Sequence, residues 1–377
     1  MAGDDFGLAA APLVDHHCHA IVAGSLAPRA FDDLIGEAGP APPGATNFDT
    51  PTGLAVRAWC APLLDLEPHV SAAGYLARRQ ELGPDEVDRR FLGATGIAEL
   101  LVDTGYRSAD VLSRVAFGAR FGAPTREIVR METVAEEVAA SGVTAADWAG
   151  AFTEELGRRA AGAVGLKSII AYRYGFDFQP AAPGKAEVEA AVSDWFREAE
   201  RRGRWRLEHP TVLRHLLWTG AELGLPIQLH AGYGDPDIRL HRVNPALLHE
   251  WLLLLRPRRV PVMLLHCYPY IREASYLAAS FPDVYFDVGE VLHYTGRSAT
   301  RLMAEALELA PFTKQLFSTD AFGVSEFYFL ATFLFKRALG AVLGEAVDAG
   351  DWSRADAERI VRLIGWENAR RVYRLDE

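Results

Sequence analysis

The sequence predicts an α/β fold, a (β/α)8 TIM barrel with a helical insertion after its first strand. Three observations lead there. Short apolar, β-branched runs recur along the chain, longer amphipathic stretches rich in Ala, Leu, Glu and Arg separate them, and polar residues end several of the runs. Such alternation marks parallel βα units. Periodicity alone also allows an open doubly wound sheet. The polar residues separate the two: a barrel carries its chemistry at the carboxyl ends of many strands, whereas an open sheet gathers it at one switch point, usually with a Gly-rich phosphate turn. No such turn occurs in this sequence.

Taken in order, the first run is 12–17, leading through Leu13 and Val14 into Asp15, His16 and His17. The second is 97–102, the third 127–131, and the fourth 164–170, where Lys167 interrupts apolar neighbours. The fifth, 226–230, ends at His230, and the sixth, 260–266, ends at His266. The seventh is 284–288, and the eighth, 315–320, ends at Asp320. Between the first two lies a stretch too long for a bare loop, so a helical insertion is expected at about 25–95. A second long connection, roughly 173–225, joins runs four and five, and helices at 326–346 and 352–374 close a single domain spanning 1–377.

Composition narrows the function classes. A chain of 377 residues, half hydrophobic and 24% charged, can bury the core of one large barrel. A net charge of −11 argues against a nucleic-acid partner, since phosphate recognition needs clustered Lys and Arg. The basic knot Arg201-Arg202-Gly203-Arg204-Trp205-Arg206 reads as a solvated loop. Cys18, Cys60 and Cys267 form no CxxC pair, so neither a disulfide framework nor a cysteine zinc site is indicated. The first dozen residues lack the pattern of a secretory signal, and the apolar run at 251–255 stops at Arg256, short of a membrane span. The expectation is a cytoplasmic protein acting on a small molecule, with a homodimer left open.

The sharpest motif is Asp15-His16-His17-Cys18-His19. Alternation along a strand sends Asp15, His17 and His19 to one face and His16 and Cys18 to the other. Two imidazoles spaced i, i+2 can grip one divalent metal. A purification-tag remnant also clusters histidines, but the apolar lead-in and the histidine-tipped strands elsewhere speak against it. His230 or His266 taken singly reads as an ordinary core histidine. Barrel closure would bring both to His17, His19 and Asp320, a donor set suited to zinc, iron or manganese. Lys167 on a buried strand needs a partner, because an unpaired buried ammonium is costly. A carboxylate such as Glu132 or the substrate itself would serve.

Arg173 follows the fourth run, and Tyr233 and Asp235 follow the fifth, where substrate-contacting loops begin. Arg173 can clamp a carboxylate through paired N–H donors. Asp235 and Asp237 equally suit turns. His241 and His293 read as surface histidines, and Glu290 has no independent support.

Asp15-x-His17-x-His19, with His230, His266 and Asp320 ending runs five, six and eight, resembles the amidohydrolase superfamily. Residues 165–173 and 230–235 are similar to a subgroup that includes the barrel domain preceding a glutamine-synthetase-like domain in plants and fungi. The resemblance spans the first run to the eighth. It implies metal-dependent hydrolysis of an amide C–N bond in a small carboxylated substrate, a γ-glutamyl amide among the candidates. It also implies one or two divalent ions, Zn2+ first with Mn2+ or Fe2+ as alternatives, held by His17, His19, Lys167, His230, His266 and Asp320. Lys167 would be carboxylated by CO2 and bridge two ions. Asp320 would take and return a proton, His266 or the metal would polarise the carbonyl, and Arg173, Tyr233 and Asp235 would contact substrate. Decarboxylases and uronate isomerases share this barrel and motif, so both stay open here, as does a metal-binding barrel with lapsed catalysis.

Overall fold

The computed structural model describes residues 6–376; residues 1–5, part of the opening segment read above as lacking a signal, lie outside it. In chain order β1 (Leu13–Cys18) is followed by α1 (Pro28–Leu34), α2 (Pro51–Ala55), α3 (Ala72–Leu82) and α4 (Pro84–Gly93). Next come β2 (Ile97–Asp103), α5 (Arg114–Phe121), β3 (Thr125–Arg130), α6 (Met131–Ala140) and α7 (Ala145–Ala160). Then follow β4 (Gly165–Ser168), α8 (Ile170–Arg173), α9 (Lys185–Arg202), α10 (Pro210–Glu222) and β5 (Ile227–Ala231). The chain continues with α11 (His249–Leu255), β6 (Val262–His266), α12 (Ile271–Ser280) and β7 (Val284–Phe286). It closes with α13 (Gly289–Thr295), α14 (Ala299–Ala306), α15 (Ser325–Asp348), α16 (Arg354–Arg362) and α17 (Asn368–Tyr373).

Among the described residues the sheet has seven strands ordered as in the chain; β1 pairs with β2, and β3 through β7 pair in turn, all in parallel. Contacts divide the chain into two compact units: residues up to Arg126 with Asp287–Arg371, and Glu127–Phe286 with residues from Val372 onward.

In the first unit β1 is buried along its whole length and pairs with β2, Leu13 opposite Ile97 and Asp15 opposite Leu100. Helices α1 to α4 occupy the chain between them, where helical segments were expected. The core helix is α15. By length and mean hydropathy, 1.4, it has the properties of a membrane span, yet 56% of that window is buried against α4, α13 and α14. A helix was expected here at 326–346, and Lys336 and Arg337 interrupt its apolar run without lowering the average far.

The expected eighth strand, 315–320, is not a strand. The segment nevertheless runs alongside β1, with His16 N–H donating to Phe317 O at 3.1 Å and Asp320 N–H to His17 O at 3.0 Å. Farther on, His19 N–H donates to Ala321 O at 2.9 Å. Regular pairing fails because the Thr319 amide donates to the Asp15 carboxylate, at 2.9 Å, instead of to a strand carbonyl. Asp320 then turns into left-handed backbone with φ +49°.

The second unit carries β4 to β7 in unbroken parallel register: Lys167 opposite Gln228, Ala231 opposite His266, Leu264 opposite Phe286. Its helices pack through stacked Trp148 and Phe152 rings, 5.2 Å apart, with Trp195 edge-on to Trp148. β4 is shorter than the expected 164–170. The Ile169 amide donates to Glu132 and the Ile170 amide to Ser168 Oγ, so side chains end the ladder and start α8. β7 likewise stops at Phe286, before the expected 288. The basic knot sits at the end of α9, with Arg201 on Glu198 and Arg202 and Arg206 on Glu208, as expected of a solvated segment.

Candidate metal centre

In the first unit the two outward steps of β1 place His17 and His19 on one carboxylate. His17 Nε2 lies 3.0 Å and His19 Nε2 3.3 Å from Asp320 Oδ1, with the rings edge to face at 5.2 Å. The three ligand atoms all fall within 4.8 Å of one another. Two imidazole nitrogens and a carboxylate oxygen at that spacing fit a divalent transition metal. His19 is set for the task by its other nitrogen. Nδ1 lies 3.3 Å from the Asp103 carbonyl, an acceptor that holds the ring in place and leaves Nε2 turned toward Asp320.

The opposite face of β1 is locked as well. His16 Nε2 lies 3.0 Å from Asp287 Oδ2, both side chains fully buried, and the other Asp287 oxygen accepts the Gly289 amide at 2.8 Å. Asp15 holds Thr319 by its amide at 2.9 Å and its hydroxyl at 2.5 Å, and so fixes the residue next to Asp320. Burial pushes the Asp15 carboxyl up to about 8, while the Thr319 donors pull it down.

Gly289 passes close to the same segment. A Cβ there would stand 2.0 Å from Ser318 Oγ and 2.6 Å from Ser318 O. Gly289→Ala is therefore expected to cost about 1–3 kcal/mol by overpacking and to weaken metal binding, because the displaced backbone carries Asp320. Urea unfolding and metal titration check this; unchanged metal affinity in the variant would show that Asp320 is positioned otherwise.

The second unit brings together His230 and His266, ring centroids 5.0 Å apart. His230 Nε2 meets the Tyr233 carbonyl at 2.7 Å, and the Tyr172 hydroxyl stands 3.5 Å from Nδ1. His266 and Cys267 are both left-handed, φ +66° and +64°, so the chain turns sharply at the end of β6. Lys167 is buried in β4. Glu132, weighed above as its partner, accepts from Ser168 Oγ at 2.5 Å and from the Ile169 amide at 3.0 Å. Its burial raises its pKa against those donors.

Arg173 Nη1 lies 2.9 Å from Glu136 Oε1, so this guanidinium already faces a carboxylate of the chain. Asp235 caps its own turn, accepting the Asp237 amide at 2.8 Å. His241 is exposed, as expected. His293 is not a surface histidine: it is fully buried with its ring 4.6 Å from Phe327, because α13 turns it into the core of the first unit. Glu290, on the same helix, is buried too.

A family model described as amidohydrolase matches residues 14–375. The chain belongs to the amidohydrolase family. Protein fluG of Emericella nidulans is 36% identical over 226 residues, 57% of this chain and 26% of that protein, so this amidohydrolase spans about a quarter of its relative's length. A solved structure of a proposed metal-dependent hydrolase from Lactobacillus casei is 31% identical, with TM-score 0.85 and coverage of 100% of this chain and 99% of that one. Glucuronate isomerase from Caulobacter crescentus, at 16% identity and TM-score 0.65 over 99% and 93% of the two chains, shares the fold.

Residue-by-residue reading overlooked some parts of this amidohydrolase site. Asp287 directly follows β7, and His16 lies on the face of β1 opposite His17, so a buried pair between them was legible in the alternation. The role of Thr319 was not, because no periodicity marks a side chain that replaces a ladder bond.

Proposed function

We propose that this amidohydrolase hydrolyses an amide C–N bond in a small carboxylated substrate, a γ-glutamyl amide being the first to try, with Asp320 moving the proton. The observation that carries the proposal is the placement of His17, His19 and Asp320 within 4.8 Å of one another. A divalent cation held there brings the pKa of a bound water to about 7 and polarises the scissile carbonyl. Zinc is the first candidate, then manganese or iron.

His17 and His19 hold the ion by Nε2, their rings fixed by the strand and by Asp103. Asp320 Oδ1 accepts the proton of the attacking water and hands it to the departing amine, the ordinary course of general acid–base catalysis. On the strength of the family pattern in the sequence, His230, His266 and Lys167 would be further ligands, Lys167 once carboxylated by CO2 and able to serve a second ion. His266 also polarises the carbonyl; Arg173, Tyr233 and Asp235 contact the substrate. The fold in this reading is a barrel-type domain over 1–377 in which the 315–320 segment runs beside β1 without being a strand, and whose helical insertion at about 25–95 excludes water from the bound substrate. The protein works in the cytoplasm, as a homodimer.

Stripped protein reloaded with zinc, manganese or iron(II) and offered γ-glutamyl and N-acyl amides is expected to release amine, and a chelator to stop it. Isomerisation of uronates, or CO2 release from carboxylic acids, without any amide turnover would overturn the proposal. Metal analysis tests the lysine: about two ions per chain, falling to about one in Lys167→Met, is expected of a bridged pair. Equal content in both proteins removes Lys167 from the site.

A further inference from the structure

We propose that Tyr106 and Phe322 form an aromatic wall beside the metal ligands and select substrates carrying an uncharged, planar ring next to the reacting bond. The inference rests on the metal reading above and adds the class of group that site selects.

Side-chain exposure rises from 1% at His17 to 9% at His19 and 14% at Asp320. A ligand therefore reaches the cluster from the side of His19 and Asp320. Two rings stand on that side. Tyr106 lies 5.4 Å from the His19 ring and 4.8 Å from Phe322, and Phe322 meets His19 edge-on at 6.0 Å. Tyr106 is 38% exposed. An exposed tyrosine is ordinary on a protein surface. One whose ring packs on a ligand histidine at the open side of its cluster is placed to touch what binds there.

Both rings are held by the backbone that holds the ligands. The loop bearing Tyr106 starts at Asp103, whose carbonyl faces His19 Nδ1 and whose carboxylate accepts the Gly105 amide at 2.9 Å. It ends where Leu112 N–H donates to Ile21 O at 2.9 Å and Val111 bridges Val22. Phe322 follows Ala321, the acceptor of the His19 amide. The wall thus keeps a fixed distance from His19, as a specificity element needs.

Charge decides which group it takes. Arg107 lies over Phe322 at 5.3 Å and is paired with Asp110 at 2.8 Å. Its charge is met within the loop, so the wall offers ring surface and not an anion site. Aromatic pairing adds about two- to tenfold in affinity beyond area burial.

Two hydroxamates that chelate through the same atoms test this by calorimetry on the zinc-loaded protein. Benzohydroxamate is expected to bind about tenfold tighter than acetohydroxamate. Tyr106→Ala and Phe322→Leu should each erase most of that preference and leave acetohydroxamate affinity within about twofold. Equal affinities in the wild type, or a preference surviving both variants, overturns the wall while leaving the metal reading intact. Acetohydroxamate binding that does not depend on zinc overturns the metal reading, and the wall with it.

Discussion

Asp320→Asn is expected to lower amide turnover by about 10²–10⁴-fold, the usual worth of a general acid–base group, while most of the bound metal stays. The substitution preserves shape and leaves one oxygen for the ion, but an amide cannot carry a proton away from water. His17 and His19 each lie within 3.3 Å of Asp320 Oδ1, so geometry alone makes this carboxylate the residue nearest both ligands. Single-turnover rates on protein of measured metal content separate the two roles. Turnover at the wild-type rate in a metal-replete variant would assign the proton transfer elsewhere. Loss of metal in step with activity would make Asp320 a ligand only.

The second large effect is expected at Gly232, just past β5. Its φ is +89°, and a Cβ there would stand 2.1 Å from Tyr268 O and 3.0 Å from the Cys267 carbonyl carbon. That oxygen is already occupied, accepting the Tyr233 amide at 2.6 Å, and Cys267 N–H donates to Ala231 O at 3.0 Å. The turns after β5 and β6 are laced together through these bonds, and His230 and His266 sit at their roots. Gly232→Ala combines left-handed strain with a backbone collision, for a cost of about 2–5 kcal/mol. Gly224 is the control, with φ +70° and open space where a Cβ would go. Gly224→Ala should lose about 1–2 kcal/mol. Urea midpoints that match in the two variants would mean the collision is relieved at no cost.

What the sequence disclosed follows from what periodicity encodes. Strand alternation in Asp15-His16-His17-Cys18-His19 separates His17 and His19, which meet Asp320, from His16, which meets Asp287, and the apolar runs locate seven strands to within a few residues. Alternation says nothing of side chains that stand in for backbone partners. Asp15 taking the Thr319 amide removed the eighth strand, and Glu132 with Ser168 shortened the fourth, although both segments lie close to where they were placed. The pairing of Arg173 with Glu136 was likewise hidden, since Glu136 lies on a helix with no spacing relation to it. His293 was misjudged because a loop after a strand was assumed where α13 begins at Gly289 and carries the ring inward.

The division of the first unit into residues up to Arg126 and Asp287–Arg371 has a consequence for biosynthesis. The ribosome delivers His17 and His19 about 300 residues before their carboxylate partner Asp320 and the backbone that flanks β1. At ordinary elongation rates the interval is on the order of fifteen to sixty seconds. Throughout it the nascent β1 has one edge with nothing to bond to, so a cation that arrives cotranslationally meets two imidazoles but no third donor from Asp320.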